Sequence, residues 1–331
     1  MALNLNHSPV MMIFSPQIRA AHSPMTILIL IPGRDCRDLA AALKKNDPTL
    51  DIRIWPNDGE QADIDYIISW NHPAGELHNY PNLKVVASFG AGVDHIFNDP
   101  ALPENITITR LVDDCLARQM SDYVLGAILN HRLRLTEYRE YQGAGVWSPK
   151  ESRTGNHVCL LGLGNIGQEV THSLTAQNFK VSGWSQNPKN IKGVTSFQGD
   201  DELAKAISDA DYIVCLLPLT PQTENILDKT FFARAKKGAY LINVGRGGHL
   251  NEDDLLDAIY NEQISGACLD VFRTEPLPDA HPFWRHPKIY ITPHSASLTN
   301  IEQAALQLIE NHRKMQNNQP LSNQVDRTQG Y

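Results

Sequence analysis

The sequence lacks any apolar run of the roughly 18 residues that a membrane-spanning helix requires, which excludes an ordinary helical span. It also lacks a long Lys/Arg run, and its formal net charge is −8. Nothing in it would gather polyphosphate, so neither nucleic acid nor an anionic membrane is expected as a partner. A small anion held by one local cation remains open. Cysteine is scarce and scattered, at Cys36, Cys115, Cys159, Cys215 and Cys268, with no Cys-x-x-Cys pair. That excludes a zinc or disulfide framework; no metal is expected, and three of the five lie inside apolar strand-like runs. They read as buried, reduced thiols of a cytoplasmic protein. A basic leader is missing from residues 1–24, whose apolar run Val10 to Phe14 is stopped by Ser15-Pro16. These residues read as a flexible extension or an upstream start, ahead of a first strand in "MTILILIPG".

What remains is a chain of 331 residues, long enough for two domains. Apolar strand-like runs alternate with helical segments. A first series comprises "TILILI", "LDIRIW", "DYIISW" and "LKVVASF"; a second comprises "NITIT", "HVCLLGLG", "FKVSGWS", "DYIVCLLP", "AYLINV", "SGACLDV" and "KIYITP". Runs apolar on both faces and joined through helices indicate parallel strands, hence two doubly wound α/β units. Between the series, "QMSDYVLGAILNHRLRLTEYREYQ" has no proline and a single glycine. It predicts one long helix, packed on its own domain or at an interdomain or dimer interface. The loop after it, "GAGVWSPKESRTG", exposes Trp147. Residues 298–316 read as a last helix before a polar tail.

"HVCLLGLGNIGQEV" places Gly162-x-Gly164-x-x-Gly167 between an apolar strand and a helical pattern. Such glycines allow a tight turn, close approach of a pyrophosphate and helix-on-strand packing, while the helix N-terminus stabilises the negative charge. Gly162, Leu163, Gly164, Asn165, Ile166 and Gly167 are therefore candidates for dinucleotide contact. The acid that normally grips the ribose of NAD at the end of the next strand is absent. Ser185 stands there, followed by Gln186, with Lys189 and Lys192 just beyond. This favours NADPH and leaves NADH as the alternative; both lysines also read as ordinary surface charges. Leu217, Pro218, Val244, Gly245 and Arg246, at neighbouring strand ends, are further candidates for cofactor contact.

Three charged groups follow successive strands of the second series: Arg246 after "AYLINV", Glu275 after "GACLDV" and His294 after "KIYITP". Taken singly, each has a dull explanation as a turn residue, a loop acid or an incidental histidine. Doubly wound sheets, however, collect their ligands at the carboxyl ends of the strands. A carboxylate there can orient a histidine and keep it protonated, and an arginine can hold a carboxylate or carbonyl oxygen.

"GLGNIG", "NVGRG", "LDVFRTEPLP" and "TPHSA", in that order, resemble the signature blocks of the D-isomer-specific 2-hydroxyacid dehydrogenases. "FGAGVDHI", "KGAYLINVGRG", "LPDAHPFWRHPKIYITPH" and "QVDRTQGY" resemble the glyoxylate/hydroxypyruvate reductase A type. The resemblance runs from Met25 to Tyr331. It implies a flavodoxin-like substrate domain (25–102 plus 287–331) and a Rossmann dinucleotide domain (103–286), with a cleft between them. His294 would be the general acid, Glu275 the carboxylate that holds it and Arg246 the residue that binds the 2-oxo acid. Asp270 would hydrogen-bond the nicotinamide carboxamide, and Gly90, Ala91 and Gly92 would receive the substrate carboxylate. Trp147 would lie on an arm reaching towards a partner's site in a homodimer. The implied reaction is reduction of glyoxylate to glycolate and of hydroxypyruvate to D-glycerate. Open alternatives are a bulkier 2-oxo acid of the phenylpyruvate or 2-ketogluconate kind, with Trp70, Phe89, Trp147 and Trp284 as candidates for setting pocket size, and a non-catalytic dinucleotide sensor. Two departures stand out: "SQNPK" lacks the basic residues of the reductase A relatives, and "GRGGHL" has an extra glycine expected to loosen the turn.

Overall fold

A computed structural model describes residues 26–331; the extension expected over 1–24 lies outside the described residues. Strands β1 (Thr26–Leu30), β2 (Asp51–Ile54), β3 (Ile64–Ser69), β4 (Val85–Ser88) and β5 (Thr107–Thr109) form a parallel sheet in the order β2-β1-β3-β4-β5. A second parallel sheet contains β6 (His157–Leu161), β7 (Lys180–Ser185), β8 (Thr195–Gln198), β9 (Tyr212–Cys215), β10 (Ala239–Asn243), β11 (Ile264–Leu269) and β12 (Ile289–Ile291). Its order is β12-β11-β10-β9-β6-β7-β8. The expected pair of doubly wound α/β units is thus present.

The central strands β1, β6 and β10 are buried along their whole length, as parallel strands covered by helices on both faces must be. Reversal of strand order places a switch point between β6 and β9, and the loops after these two strands flank it. That crevice is where an open α/β sheet binds its ligand.

Three expectations change. "NITIT" stands in the second series, but β5 pairs with β4 in the first sheet; "KIYITP" lies in the second, as its series has it, with β12 paired to β11, against the implied boundary at 286/287. The strands therefore move the boundaries expected at 102/103 and 286/287 to beyond Thr109 and Ile291. The single long helix is two. One spans Asp114–Leu133, Arg134 turns left-handed at φ 60°, and a second spans Leu135–Ala144. The Arg134 side chain donates to the Glu151 carbonyl and the Glu137 carboxylate, which pins the turn. Finally, β8 was missed, because "TSFQ" is a half-exposed edge strand with no apolar run.

Local caps fix where helices begin. Asp113 accepts from the Cys115 N–H at the start of Asp114–Leu133, and Asn300 from the Gln303 N–H at the start of Ile301–Gln316. The first of these helices packs on Asn165–Ala176, the second on Arg37–Asn46. The chain end returns to the five-stranded sheet, where the Val325 N–H donates to the Ile108 carbonyl at 2.9 Å.

Candidate active site

The glycine loop adopts the shape its spacing requires. Gly162 has φ +106°, and a Cβ there would sit 2.9 Å from the Leu216 carbonyl oxygen. A Cβ on Gly167 would sit 2.2 Å from the Gly162 carbonyl oxygen, so the helix Asn165–Ala176 packs directly against the turn. Gly164, by contrast, faces open space, and no side chain caps the helix it begins. An open, uncapped helix start with a bare backbone edge fits a pyrophosphate. The Ser185 hydroxyl turns inward and donates to the Asn187 carbonyl at 2.7 Å, shaping its own loop. Gln186, Lys189 and Lys192 are exposed around it.

The acid pair is built on the far strands. His294 Nδ1 lies 2.7 Å from Glu275 Oε2, and each side chain is 36% exposed. Glu275 Oε1 accepts from the Phe272 N–H at 2.9 Å. Burial works against an ionised Glu275. The His294 hydrogen bond, the Phe272 N–H and the Arg246 charge outweigh it and hold the carboxyl below its usual range. With Glu275 an acceptor, Nδ1 carries the hydrogen that bonds it and Nε2 is left for a reacting atom.

Asp270, 1% exposed, secures this arrangement. Its carbonyl accepts from the His294 N–H at 2.8 Å. Its carboxylate accepts from Thr292 Oγ1 and the Ser295 N–H at Oδ1, and from the Ala296 N–H at Oδ2. His294 itself has φ 50°, an unusual conformation for a non-glycine residue, and the bonds on either side maintain it. Tyr123, on the helix Asp114–Leu133, closes the chain by a 2.5 Å bond to Thr292 Oγ1.

Arg246 crosses to the other sheet. Its Nε donates to Asp94 Oδ1 at 2.9 Å, and Nη1 donates to the Gly245 carbonyl at 2.7 Å. Its Nη2 approaches Gly92 so closely that a Cβ on that glycine would lie 1.7 Å away. The Gly90–Gly92 loop is fixed by a relay of hydrogen bonds. The Asn71 N–H donates to His95 Nδ1 at 3.3 Å, and Ser88 Oγ lies 3.0 Å from His95 Nε2 and donates to the Gly92 carbonyl at 2.6 Å. Burial pushes the His95 pKa down to about 3, so the ring is neutral and one tautomer satisfies every link. Trp70 lies against Gly90, and Arg34 stands 5.3 Å over the Phe89 ring.

Thus Arg246, Glu275, His294 and the Gly90–Gly92 loop come together. Trp147 does not join them: it is 98% exposed beyond the helix Leu135–Ala144. Trp284 is half-exposed and bonded to the Pro278 carbonyl. Asp94 went unassigned in sequence, although it lies inside "FGAGVDHI"; its acidic charge beside a glycine turn was the available signal. The extra glycine does not loosen its turn, because the Gly248 carbonyl accepts from the Asn225 N–H at 2.9 Å.

Residues 125–296 match the family model for the D-isomer specific 2-hydroxyacid dehydrogenase, NAD binding domain. A glyoxylate/hydroxypyruvate reductase A from Serratia proteamaculans is 38% identical over 314 residues, covering 93% of this chain and all of the relative. The chain belongs to the D-isomer-specific 2-hydroxyacid dehydrogenases. It is an oxidoreductase of that family. Among solved members, one from Xanthobacter autotrophicus in complex with NADPH and MES aligns with TM-score 0.86 at 34% identity, covering 92% of this chain and 99% of that one. An NADPH-dependent glyoxylate/hydroxypyruvate reductase from Sinorhizobium meliloti, in complex with NADP and sulfate, aligns with TM-score 0.86 at 30% identity, with the same coverage. The match accounts for the nucleotide crevice: the family model spans β6 to β12, the whole seven-stranded sheet.

Proposed function

We propose that this dehydrogenase is an NADPH-preferring reductase of small 2-oxo acids, converting glyoxylate to glycolate and hydroxypyruvate to D-glycerate. The observation that carries the proposal is the His294–Glu275 pair at 2.7 Å, with Arg246 extended from the same sheet to Gly92 of the other. The names of the relatives support the substrates, and the NADP(H) complexes of the solved members support the cofactor.

Gly162 to Gly167 would hold the pyrophosphate, Gln186 and Lys189 would face the 2′-phosphate, and Leu217, Pro218, Val244 and Gly245 would line the crevice. When bound, the reduced cofactor supplies a hydride to the substrate's carbonyl carbon. The protein's own residues do the rest. The Gly90–Gly92 amides and Arg246 Nη2 seat the carboxylate, which fixes the carbonyl carbon in place. As negative charge develops on the carbonyl oxygen, Arg246 stabilises it and His294 donates the Nε2 proton to it. Glu275 stays ionised and stabilises the histidine before the proton leaves. Asp270 holds the histidine loop, with one Oδ2 lone pair left for a carboxamide N–H. Closure of the two sheets on the substrate would exclude water.

Trp147, with Val146, Leu133 and Leu135 also exposed, supports a homodimer joined through this arm. Five free cysteines support a cytoplasmic location.

The test is a panel of 2-oxo acids assayed with NADPH and NADH in parallel, with chiral analysis of the products. The expected result is fastest turnover of glyoxylate and hydroxypyruvate with NADPH. Preference for phenylpyruvate or a 2-keto sugar acid would replace the substrate, and no turnover of any member would end the enzyme reading.

A further inference from the structure

The turn that carries Arg246 rests on a histidine that the reaction does not use. His249 is fully buried at the end of the short turn Gly247–His249. Its Nδ1 accepts from the Arg246 N–H at 3.0 Å, and its Nε2 lies 3.2 Å from the Pro218 carbonyl oxygen. A backbone N–H can only donate and a carbonyl can only accept, so a single form of the ring satisfies both: neutral, with its hydrogen on Nε2. Burial pushes its pKa down to about 4, in the same direction.

These two bonds join the two halves of the chemistry. Pro218 follows β9 and borders the β6–β9 crevice; two residues before it, the Leu216 carbonyl packs against the nucleotide loop at Gly162. Arg246 follows β10 and is the substrate arginine. The ring fills the space between them, since a Cβ on Gly245 would lie 3.0 Å from the imidazole and 3.1 Å from the Leu217 carbonyl oxygen. We propose that His249 is a positioning residue that couples occupancy of the cofactor crevice to the aim of Arg246. A shift of the Leu217–Pro218 loop is passed by the ring to the Arg246 peptide. The long arginine side chain then magnifies it at Gly92. By linkage, cofactor and 2-oxo acid each tighten the binding of the other, and the ring is the physical path. This rests on the reading of Arg246 as the substrate clamp.

Two substitutions separate hydrogen bonding from shape. His249→Leu keeps the volume and removes both bonds; His249→Gln keeps an acceptor and a donor at similar separation. The readouts are steady-state kinetics with glyoxylate and the binding of oxamate, an unreactive 2-oxo acid analogue, with and without NADPH. For His249→Leu the expected result is a KM for glyoxylate raised about tenfold, with kcat changed less, NADPH affinity without oxamate within about twofold, and NADPH-dependent tightening of oxamate lost. His249→Gln should recover kcat/KM to within about threefold of the parent. Should the leucine variant not fold, His249→Asn, too short to reach the Pro218 carbonyl, carries the same expectation. Unchanged coupling in the leucine variant, or equal losses in the leucine and glutamine variants, would overturn the proposal while leaving the reductase reading intact. A parent protein inert towards every 2-oxo acid would overturn both.

Discussion

Arg246 Nε donates to Asp94 Oδ1 at 2.9 Å, and the two residues belong to different sheets. Both side chains are mostly buried, at 21% and 16% exposed, so the pair is screened less than a surface one. Its effect is directional. With Nε held by Asp94 and Nη1 by the Gly245 carbonyl, Nη2 is the edge of the guanidinium left facing the Gly92 loop.

Asp94→Ala should therefore raise KM for glyoxylate by about tenfold while lowering Tm by about 2 to 4 °C. Steady-state kinetics and thermal melts check both numbers. A melting shift without a kinetic one would make the pair a structural strut. Arg246→Lys should be worse, because a point charge keeps attraction but loses the fork that serves Asp94 and substrate together.

His294→Gln should lower kcat by about two to four orders of magnitude, since proton donation to the carbonyl oxygen is lost. NADPH binding, followed by fluorescence, should stay intact. Glu275→Gln should also lower kcat, by a smaller factor, because the amide offers one acceptor where the Phe272 N–H and His294 Nδ1–H need two, and the adjacent negative charge is gone. A fall of less than tenfold in His294→Gln would remove this residue as the acid.

Ser185→Asp should shift the preference from NADPH towards NADH, read as the ratio of kcat/KM for the two cofactors. The new carboxylate would repel a 2′-phosphate and offer an acceptor to the ribose hydroxyls. An unchanged ratio would show that the exposed Gln186 and Lys189 do not face the phosphate.

Stability should fall in mild acid. His95 and His249 are buried and neutral, with pKa values pushed down to about 3 and about 4 by burial. Above pH 6.5 these rings are neutral folded and unfolded, so they contribute no pH dependence. Below it the unfolded chain takes up protons that the folded one refuses, so folding weakens until the folded pKa values are passed. Between pH 6.5 and pH 5 each ring adds about 2 kcal/mol to this loss. Guanidinium midpoints at pH 7.5 and pH 5 measure it, and His249→Gln should shrink the difference.

The fold was legible because its central strands are apolar on both faces, which leaves parallel pairing between helices as the natural reading. The short and half-exposed pieces were not. β5 and β8 carry too little apolar sequence to declare their sheet, and the Arg134 break has no glycine or proline to mark it. In the site, Arg246, Glu275 and His294 stood out by recurring after successive strands. Asp94 and His249 did not, because their importance comes from contacts 152 and 31 residues away in sequence.

Arg246, Glu275, His294 and the nucleotide turn all ride on the seven-stranded sheet, whereas Gly90–Gly92 and Asp94 ride on the five-stranded one. On the function proposed above, any swing between the sheets would keep the His294–Glu275 pair and the nucleotide turn together while dismantling the seat for the substrate. A molecule so divided would be armed but unable to fire until an anion of the right size drew the halves together.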